Sequence, residues 1–452
     1  MSASSLELFP DGTGLEDGAL TVGGVRADAL ADRFGTPLYV YDAATLHRRA
    51  RAYVEPLDDA PGGGRAVFAL KANPVPAVLR ELRRAGMGAD VASAGELAAA
   101  RLAGFEGSEL VVHGNAKSGE DLEAALDARA ALVVLDVAEE ATDLARRAAE
   151  RGVRQDVLVR VTPDIAVDTH AKIRTGQAGS KFGLGPADVA ALVPTLPGAL
   201  TFRGLHVHLG SQVVDADTLG STAAWCARFA ADHDLSPEVL DLGGGLGVAY
   251  RCGDPSPDPR AYAAAVVASV VRAFAEVGRP VPELVLEPGR SVVAPAGVTL
   301  YRILTVKRSA GTTWVAVDGG MGDNLRVALY DTAYAPVLAG RPTATPDGRY
   351  DLCGHHCESG DVLAHDVGLA APRPGDVVAV PVTGAYHQSL ATPYNLFGRP
   401  AAVLVDGGEA RLATRRETVE DLLRREVLDP RPAGSGAACA QSPPRTPTAT
   451  RP

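Results

Sequence analysis

The sequence predicts an α/β protein: a (β/α)8 barrel over residues 36–290, followed by a mainly antiparallel β-barrel domain over 291–428. Three observations predict it. Between residues 66 and 290, short Val- and Leu-rich runs alternate with longer amphipathic stretches rich in Ala, Arg and Glu, the pattern of βαβ units and a parallel sheet. Eight such runs can be read, which is the number a closed barrel requires. After Arg290 the helical stretches stop, and strand-like runs succeed one another across Gly, Pro and Asp turns. At 452 residues the chain also exceeds what one core usually holds, so two domains are expected.

In chain order, residues 1–35 are turn-rich and are expected to join the β domain. The eight runs fall at Val67–Leu70, Ala89–Ala92, Leu110–His113, Leu132–Leu135, Val157–Val161, Gly204–His208, Val239–Leu242 and Leu284–Leu286. Helical spacing fills Val75–Ala85, Ala94–Ala103, Gly119–Arg129 and Glu139–Arg151 between them. Later strands are expected at Val298–Val306, Thr313–Val317, Asp376–Val382 and Ala401–Val405. Thr418–Val427 predicts a terminal helix, with Thr418 as N-cap and Asp421 placed as in a capping box. Residues 429–452 are rich in Pro, Ser, Thr and Ala and poor in large apolar side chains, which predicts a disordered tail.

Composition narrows the function. A net charge of −11 argues against a nucleic-acid partner, which needs a basic face. No apolar run approaches the ~20 residues of a membrane span, and Met1–Asp11 has neither the basic nor the apolar part of a secretory signal. Five unevenly spaced cysteines fit a reducing compartment better than a disulfide framework, so the expected location is cytoplasmic. Of 44 basic residues only Lys71, Lys117, Lys172, Lys181 and Lys307 are lysines. If the chemistry needs a lysine, the candidates are few.

Barrels of this type build their sites at the C-terminal ends of the strands. Strand one ends in Lys71, strand two carries Asp90, and strand three ends in His113. Strand five ends in Arg160, and strand six in His206 and His208, followed by Ser211. Strand seven runs through Asp241 into Gly243, Gly244 and Gly245, and strand eight ends in Glu287, Gly289 and Arg290. A triple glycine alone reads as a tight turn. Two adjacent barrel-end loops of the same chemistry point instead to a bound phosphate, approached by backbone N–H groups and by Arg290. A phosphate, a strand-end lysine and a carboxylate together suggest pyridoxal 5′-phosphate (PLP). Lys71 is the best-placed lysine, because Lys117 and Lys181 lie in looser polar loops.

These residues carry a resemblance. The motifs Gly35–Asp42, Lys71 with its lead-in, Asp90–Glu96, His113–Ser118, Ser180–Gly183, His208–Ser211, Gly243–Gly245, Glu287–Arg290, Asp318–Tyr330, Cys357–Asp361 and Gly384–Tyr386 occur in this order. The chain resembles the fold-type III PLP-dependent decarboxylases that act on ornithine, arginine and diaminopimelate, and is most similar to the actinobacterial diaminopimelate group. The resemblance implies an alanine-racemase-like barrel with a C-terminal β domain, in a homodimer with shared active sites. It makes Lys71 the Schiff-base lysine, Glu287 the partner of the pyridine nitrogen and His208 the residue stacked on the ring. Asp90, Ser211, Gly244, Gly245, Gly289, Arg290 and Tyr386 complete the cofactor set. Arg290, Arg326, Tyr330 and Tyr386 would bind substrate at its carboxylate end and Glu358 its far ammonium. Cys357, from the other subunit with Glu358, would reprotonate Cα. The expected reaction is decarboxylation of a small amino acid, meso-2,6-diaminopimelate to L-lysine and CO2, the last step of lysine biosynthesis.

Two loops depart from the family pattern, after strand five (Val161–Ala166) and after Tyr386 (His387–Tyr394). Both are expected to line the substrate end, so another diamino acid stays open as substrate. A racemase on the same fold and a non-catalytic PLP-binding protein are the other readings. The Cys357–Glu358 pair disfavours the racemase, and the retained Lys71 and Cys357 disfavour the non-catalytic protein. The cluster Cys353, His355, His356 and Cys357 is too cramped for a standard zinc site, and no metal is expected.

Overall fold

The computed structural model describes residues 3–163, 180–212 and 215–428. Eight parallel strands close into a barrel: Gly64–Ala69, Gly88–Val91, Leu110–Val112, Leu132–Leu135, Gln155–Arg160, Leu200–His206, Val239–Asp241 and Glu283–Leu286. They lie round the ring in chain order, and the eighth meets the first with Leu284 opposite Gly64. Each predicted run overlaps one of these strands. The helix expected at Ala94–Ala103 is found at those residues, with the Ser93 hydroxyl accepting from the Glu96 N–H at 3.2 Å.

Parity decides what the barrel does. Val67, Val111, Leu132, Val134, Leu158, Val239 and Val285 form one buried cluster inside it. Their neighbours Phe68, Val112, Val133, Val157, Leu240 and Leu284 belong to the larger core that includes the helices. Side chains alternate along a strand. The next inward positions toward the C-terminal ends are therefore Lys71, Asp90, His113, Asp136, Arg160, His206 with His208, Asp241 and Glu287. The same two-residue period that packs the barrel with valine aims its polar residues at one mouth.

The second domain is a nine-stranded, branched sheet in which antiparallel pairs predominate. Its longest strand, Gly297–Ser309, pairs antiparallel with Val377–Pro381 at one end and with Thr312–Val317 at the other. The mainly antiparallel domain expected after Arg290 is thus present, built around Gly297–Ser309. The first half of Gly297–Ser309 is buried, while its second half runs out exposed and carries a separate group of strands.

Leu38–Asp42 corrects the expected boundary at residue 36. It pairs antiparallel with Gly297–Ser309 and parallel with Ala401–Asp406, and so belongs to the second sheet. The barrel side begins with the helix Ala43–Asp58, which packs on Pro259–Glu276, the last barrel helix. The earlier segment contributes a three-stranded sheet and the helix Ala27–Phe34. Leu20, Val22 and Leu30 from it share a cluster with Val40, Val298 and Val403.

The terminal helix is shorter than expected. It spans Val419–Leu423 behind the Thr418–Asp421 capping box. Val419, Leu423 and Val427 would form one face of a longer helix, but all three are exposed. A short helix without a packed face is not sustained by propensity alone. The tail 429–452, Lys172 and Asp164–Ala166 lie outside the described residues.

Candidate active site

A cavity of about 810 Å³ opens at the C-terminal ends of the barrel strands. Lys71, Asp90, His208, Ser211, Glu287, Arg290, Arg326, Tyr330 and Tyr386 all line it, as do the unassigned His113, Arg160, His206 and Tyr250. The first barrel strand delivers Lys71 on a single turn, Leu70–Ala72, which the second domain grips. The Asn73 side-chain amide donates to the Gly384 carbonyl at 2.9 Å, and the Tyr386 N–H donates to the Ala72 carbonyl at 2.8 Å. The Lys71 side chain is accessible from the cavity yet enclosed by protein. Enclosure opposes its charge, but Tyr386, Asp90 and Glu287 outweigh that, so its amine is held above the ordinary lysine range.

Glu287 lies at the floor. Its Oε1 is 2.6 Å from His113 Nε2 and 3.4 Å from His206 Nε2. Burial would raise its carboxyl, but these imidazoles reverse the effect and keep it well below the usual carboxylate range. Asp241 behaves oppositely: burial, then the Glu287 charge, pushes it well above that range. Asp90, 3.8 Å from His113, is raised to about 6, chiefly by burial. The floor thus holds one firmly ionised carboxylate among acids that keep their protons more readily. Glu287 Oε1, Asp241 Oδ2 and both His206 nitrogens are buried without a well-formed hydrogen bond. Buried polar atoms rarely stay unsatisfied, and a protonated ring nitrogen of a bound group would satisfy Glu287 Oε1.

His113, His206, Asp241 and Glu287 bring their ligand atoms within 4.8 Å of one another, a donor set of metal-binding type. The sequence shows the first three only as strand-end groups without a role. The cluster that looked most like a metal site, Cys353 to Cys357, does not form this set.

The glycines after the seventh strand are closely crowded. A Cβ on Gly243 would fall 2.5 Å from His208 Nδ1, and one on Gly244 would fall 2.1 Å from the Glu287 carbonyl. The loop therefore needs glycine to pass between the His208 and Glu287 strand ends. The Gly244 N–H donates to His208 Nδ1 at 3.2 Å and so orients that imidazole. Nδ1 is then the unprotonated nitrogen, and burial together with Lys71 keeps His208 well below its ordinary pKa. A neutral ring of fixed orientation suits stacking. Gly289 packs against Ala69 and Ala72, where a Cβ would meet methyl groups at 3.0–3.2 Å.

Arginines and tyrosines form the rim. Arg290 donates to the Tyr250 hydroxyl at 2.6 Å and lies over the Tyr386 ring at 4.8 Å. Arg326 donates to the Tyr334 hydroxyl at 3.2 Å and faces the rings of Tyr250, Tyr330 and Tyr386 at 5.4–5.6 Å. Tyr250 and Tyr334 hold both guanidinium groups, a role no local motif marks. Cys357 and Glu358 are exposed and do not line this cavity.

A floor that holds one charged carboxylate, a strand-end lysine and an anion-binding rim fit PLP. The comparisons agree. The family described as pyridoxal-dependent decarboxylase, pyridoxal binding domain, matches residues 43–294. A diaminopimelate decarboxylase from Actinosynnema pretiosum subsp. auranticum is 46% identical over 428 residues, covering 93% of this chain and 95% of that protein. The chain belongs to the diaminopimelate decarboxylase family. Another relative in that family, from Bacillus subtilis, is 37% identical over 433 residues and covers 93% of this chain. The crystal structure of diaminopimelate decarboxylase from M. jannaschii in complex with L-lysine superposes with a TM-score of 0.86 at 30% identity. It covers 93% of this chain, and this chain covers 98% of it.

As a PLP-dependent decarboxylase, the chain uses the cofactor as an electron sink. Were the pyridine nitrogen of PLP to face Glu287, the charge of that carboxylate would favour its protonated form. Replacing Glu287 with glutamine removes the charge and keeps the shape. Turnover of Glu287→Gln is expected to fall about 100-fold, on the scale of losing one preorganised electrostatic group, while the PLP dissociation constant changes far less. Steady-state kinetics at saturating PLP, beside equilibrium dialysis of PLP, measures both. A normal rate with weakened PLP binding would make Glu287 an anchor only.

Proposed function

We propose that this enzyme decarboxylates meso-2,6-diaminopimelate to L-lysine and CO2, as a cytoplasmic homodimer whose active sites are shared. The observation that carries the substrate is the pair Arg290 and Arg326, held by tyrosines at the rim of the Lys71 cavity. Diaminopimelate differs from a simple diamino acid by a second carboxylate at its far end. Planar guanidinium groups recognise a carboxylate by paired hydrogen bonds.

In this reading Lys71 carries PLP covalently, Glu287 fixes the charge of its ring nitrogen, and His208 lies on its face. Asp90, Ser211, Gly245, Gly289 and Tyr386 complete the cofactor site, and Gly244 serves it through His208. Arg290, Arg326 and Tyr330 orient the substrate. Cys357 and Glu358 of each chain serve the other chain's cavity: Cys357 donates the proton that replaces CO2 at Cα, and Glu358 receives the far ammonium. Their exposure and their absence from their own cavity support that arrangement. Among the described residues no helix is long and apolar enough to cross a membrane.

The test compares release of CO2 from meso-diaminopimelate, ornithine, arginine and lysine at equal concentration. Diaminopimelate is expected to be the preferred substrate by at least about 100-fold in kcat/KM, the discrimination worth two charge-assisted hydrogen bonds at about 1.4 kcal/mol each. Equal or faster turnover of ornithine or lysine would move the assignment to a sister decarboxylase. Isomerised amino acid without CO2 would make it a racemase.

A further inference from the structure

We propose that Tyr394 and Asn395 are positioning residues that hold the loop bearing Cys357 and Glu358. The inference rests on the role assigned above to that pair.

The loop Gly354–Gly360 joins the strands Gly348–Cys353 and Val362–Leu369. Its base is fixed from within the second domain. The Asp361 carboxylate accepts from the Met321 N–H at 2.6 Å and the His356 N–H at 2.7 Å, and lies 3.2 Å from His356 Nδ1. Its tip is exposed and depends on a segment almost forty residues later. The Cys357 N–H donates to Asn395 Oδ1 at 3.0 Å, and the Tyr394 hydroxyl donates to Glu358 Oε2 at 3.3 Å. The rings interlock beside these bonds. His356 lies parallel to Tyr394 at 5.8 Å, and His355 stacks on Phe397 at 3.9 Å. The segment is itself anchored by the Thr392 N–H donating to the Gly322 carbonyl at 2.8 Å.

The histidine pair before Cys357 and the end of the altered loop after Tyr386, with Asn395 and Phe397 just beyond it, therefore form one packed unit. Asn395 occupies the left-handed region, with φ at 55° and ψ at 20°. Asparagine tolerates that conformation better than most residues, and there it offers its side-chain oxygen to the Cys357 backbone. A proton donor acts only within hydrogen-bond reach of its target, and a displacement of about 1 Å can cost about 10²-fold in rate. Asn395 sets the donor, and Tyr394 sets the carboxylate that reads the substrate's far ammonium.

The two roles separate in kinetics. Asn395→Gly keeps the backbone conformation and loses the acceptor, while Asn395→Asp keeps both. Asn395→Gly is expected to lower kcat 10- to 100-fold, about the cost of that displacement, with KM for meso-diaminopimelate unchanged within about two-fold; Asn395→Asp restores most of the rate. Tyr394→Phe keeps the ring against His356 and is expected to raise KM roughly three- to ten-fold with kcat near wild type, the loss of one hydrogen bond to a charged group. Independently of turnover, alkylation of Cys357 by iodoacetamide, followed by mass spectrometry with Cys252 as the reference thiol, is expected to speed up in Asn395→Gly. Unchanged kcat and alkylation in Asn395→Gly overturn the proposal, and so does equal loss in Asn395→Gly and Asn395→Asp. A wild-type enzyme idle on meso-diaminopimelate overturns the substrate reading instead, and the alkylation rates still decide whether Asn395 holds Cys357.

Discussion

Lys71→Ala is expected to lose the visible absorption band of lysine-bound PLP and at least about 10⁴-fold in kcat, a barrier increase of about 5.5 kcal/mol. The size follows from the surroundings. Lys71 is the lysine among the described residues that line the cavity, so none of the other described lining residues can take over covalent attachment. Lys117 is buried elsewhere: its ammonium donates to the Gly114 and Val134 carbonyls and pairs with Glu140 at 2.6 Å. Breaking that pair to reach the cofactor would strand a buried carboxylate. The non-covalent site remains in Lys71→Ala, because Glu287, His208 and Arg290 are untouched. PLP is expected to co-purify or rebind without the lysine-bound band. A normal spectrum and rate in this variant would remove Lys71 from the mechanism.

The second large effect is restoration rather than loss. Lys71→Ala and Cys357→Ala homodimers are each expected to be nearly inactive. Mixed under conditions of subunit exchange, they should recover about one quarter of the wild-type activity, from the pairing statistics of a C2 dimer. Half of the dimers are then mixed, and each mixed dimer has one cavity with an intact Lys71 and an intact Cys357. Mass spectrometry of intact dimers would confirm exchange. If exchange is complete and activity stays at the level of the parents, each Cys357 serves its own chain or none. The physical case is that Cys357 is exposed and is not among the residues lining its own cavity, while a carbanion needs a donor within hydrogen-bond reach.

How much of this was legible beforehand depends on how local each signal is. The barrel strands are short runs such as Leu132–Leu135, buried on both faces, and a parallel sheet leaves that mark directly in the sequence. Because the period is two, locating Val67 and Val285 also locates Lys71 and Glu287. Leu38–Asp42 is as apolar and as fully buried as any barrel strand, so nothing in it says which sheet it joins. Only its partners, some 260 and 360 residues later, decide. Tyr250 and Tyr334 were missed for the same reason: each matters through an arginine 40 or 8 residues away that no spacing rule connects. The triple glycine was recognised as special, but its crowding by His208 and Glu287 is a property of three neighbouring loops.

The placement of Leu38–Asp42 also bears on how the chain comes off the ribosome. That strand lies between Gly297–Ser309 and Ala401–Asp406, so the catalytic barrel is an insertion within the second domain rather than its predecessor. At usual elongation rates, synthesis of the roughly 250 residues between Asp42 and Gly297 takes about 10–50 s. Throughout that interval a five-residue apolar strand has neither hydrogen-bond neighbour, the condition in which strand edges recruit other chains. A fragment starting at Ser291 inverts the problem, since its sheet lacks the middle strand and opens two unpaired edges. Separate expression of the halves is therefore a poor route to either one, and co-expression with a cut inside the barrel–sheet junction would have to let the early strand find its place in trans.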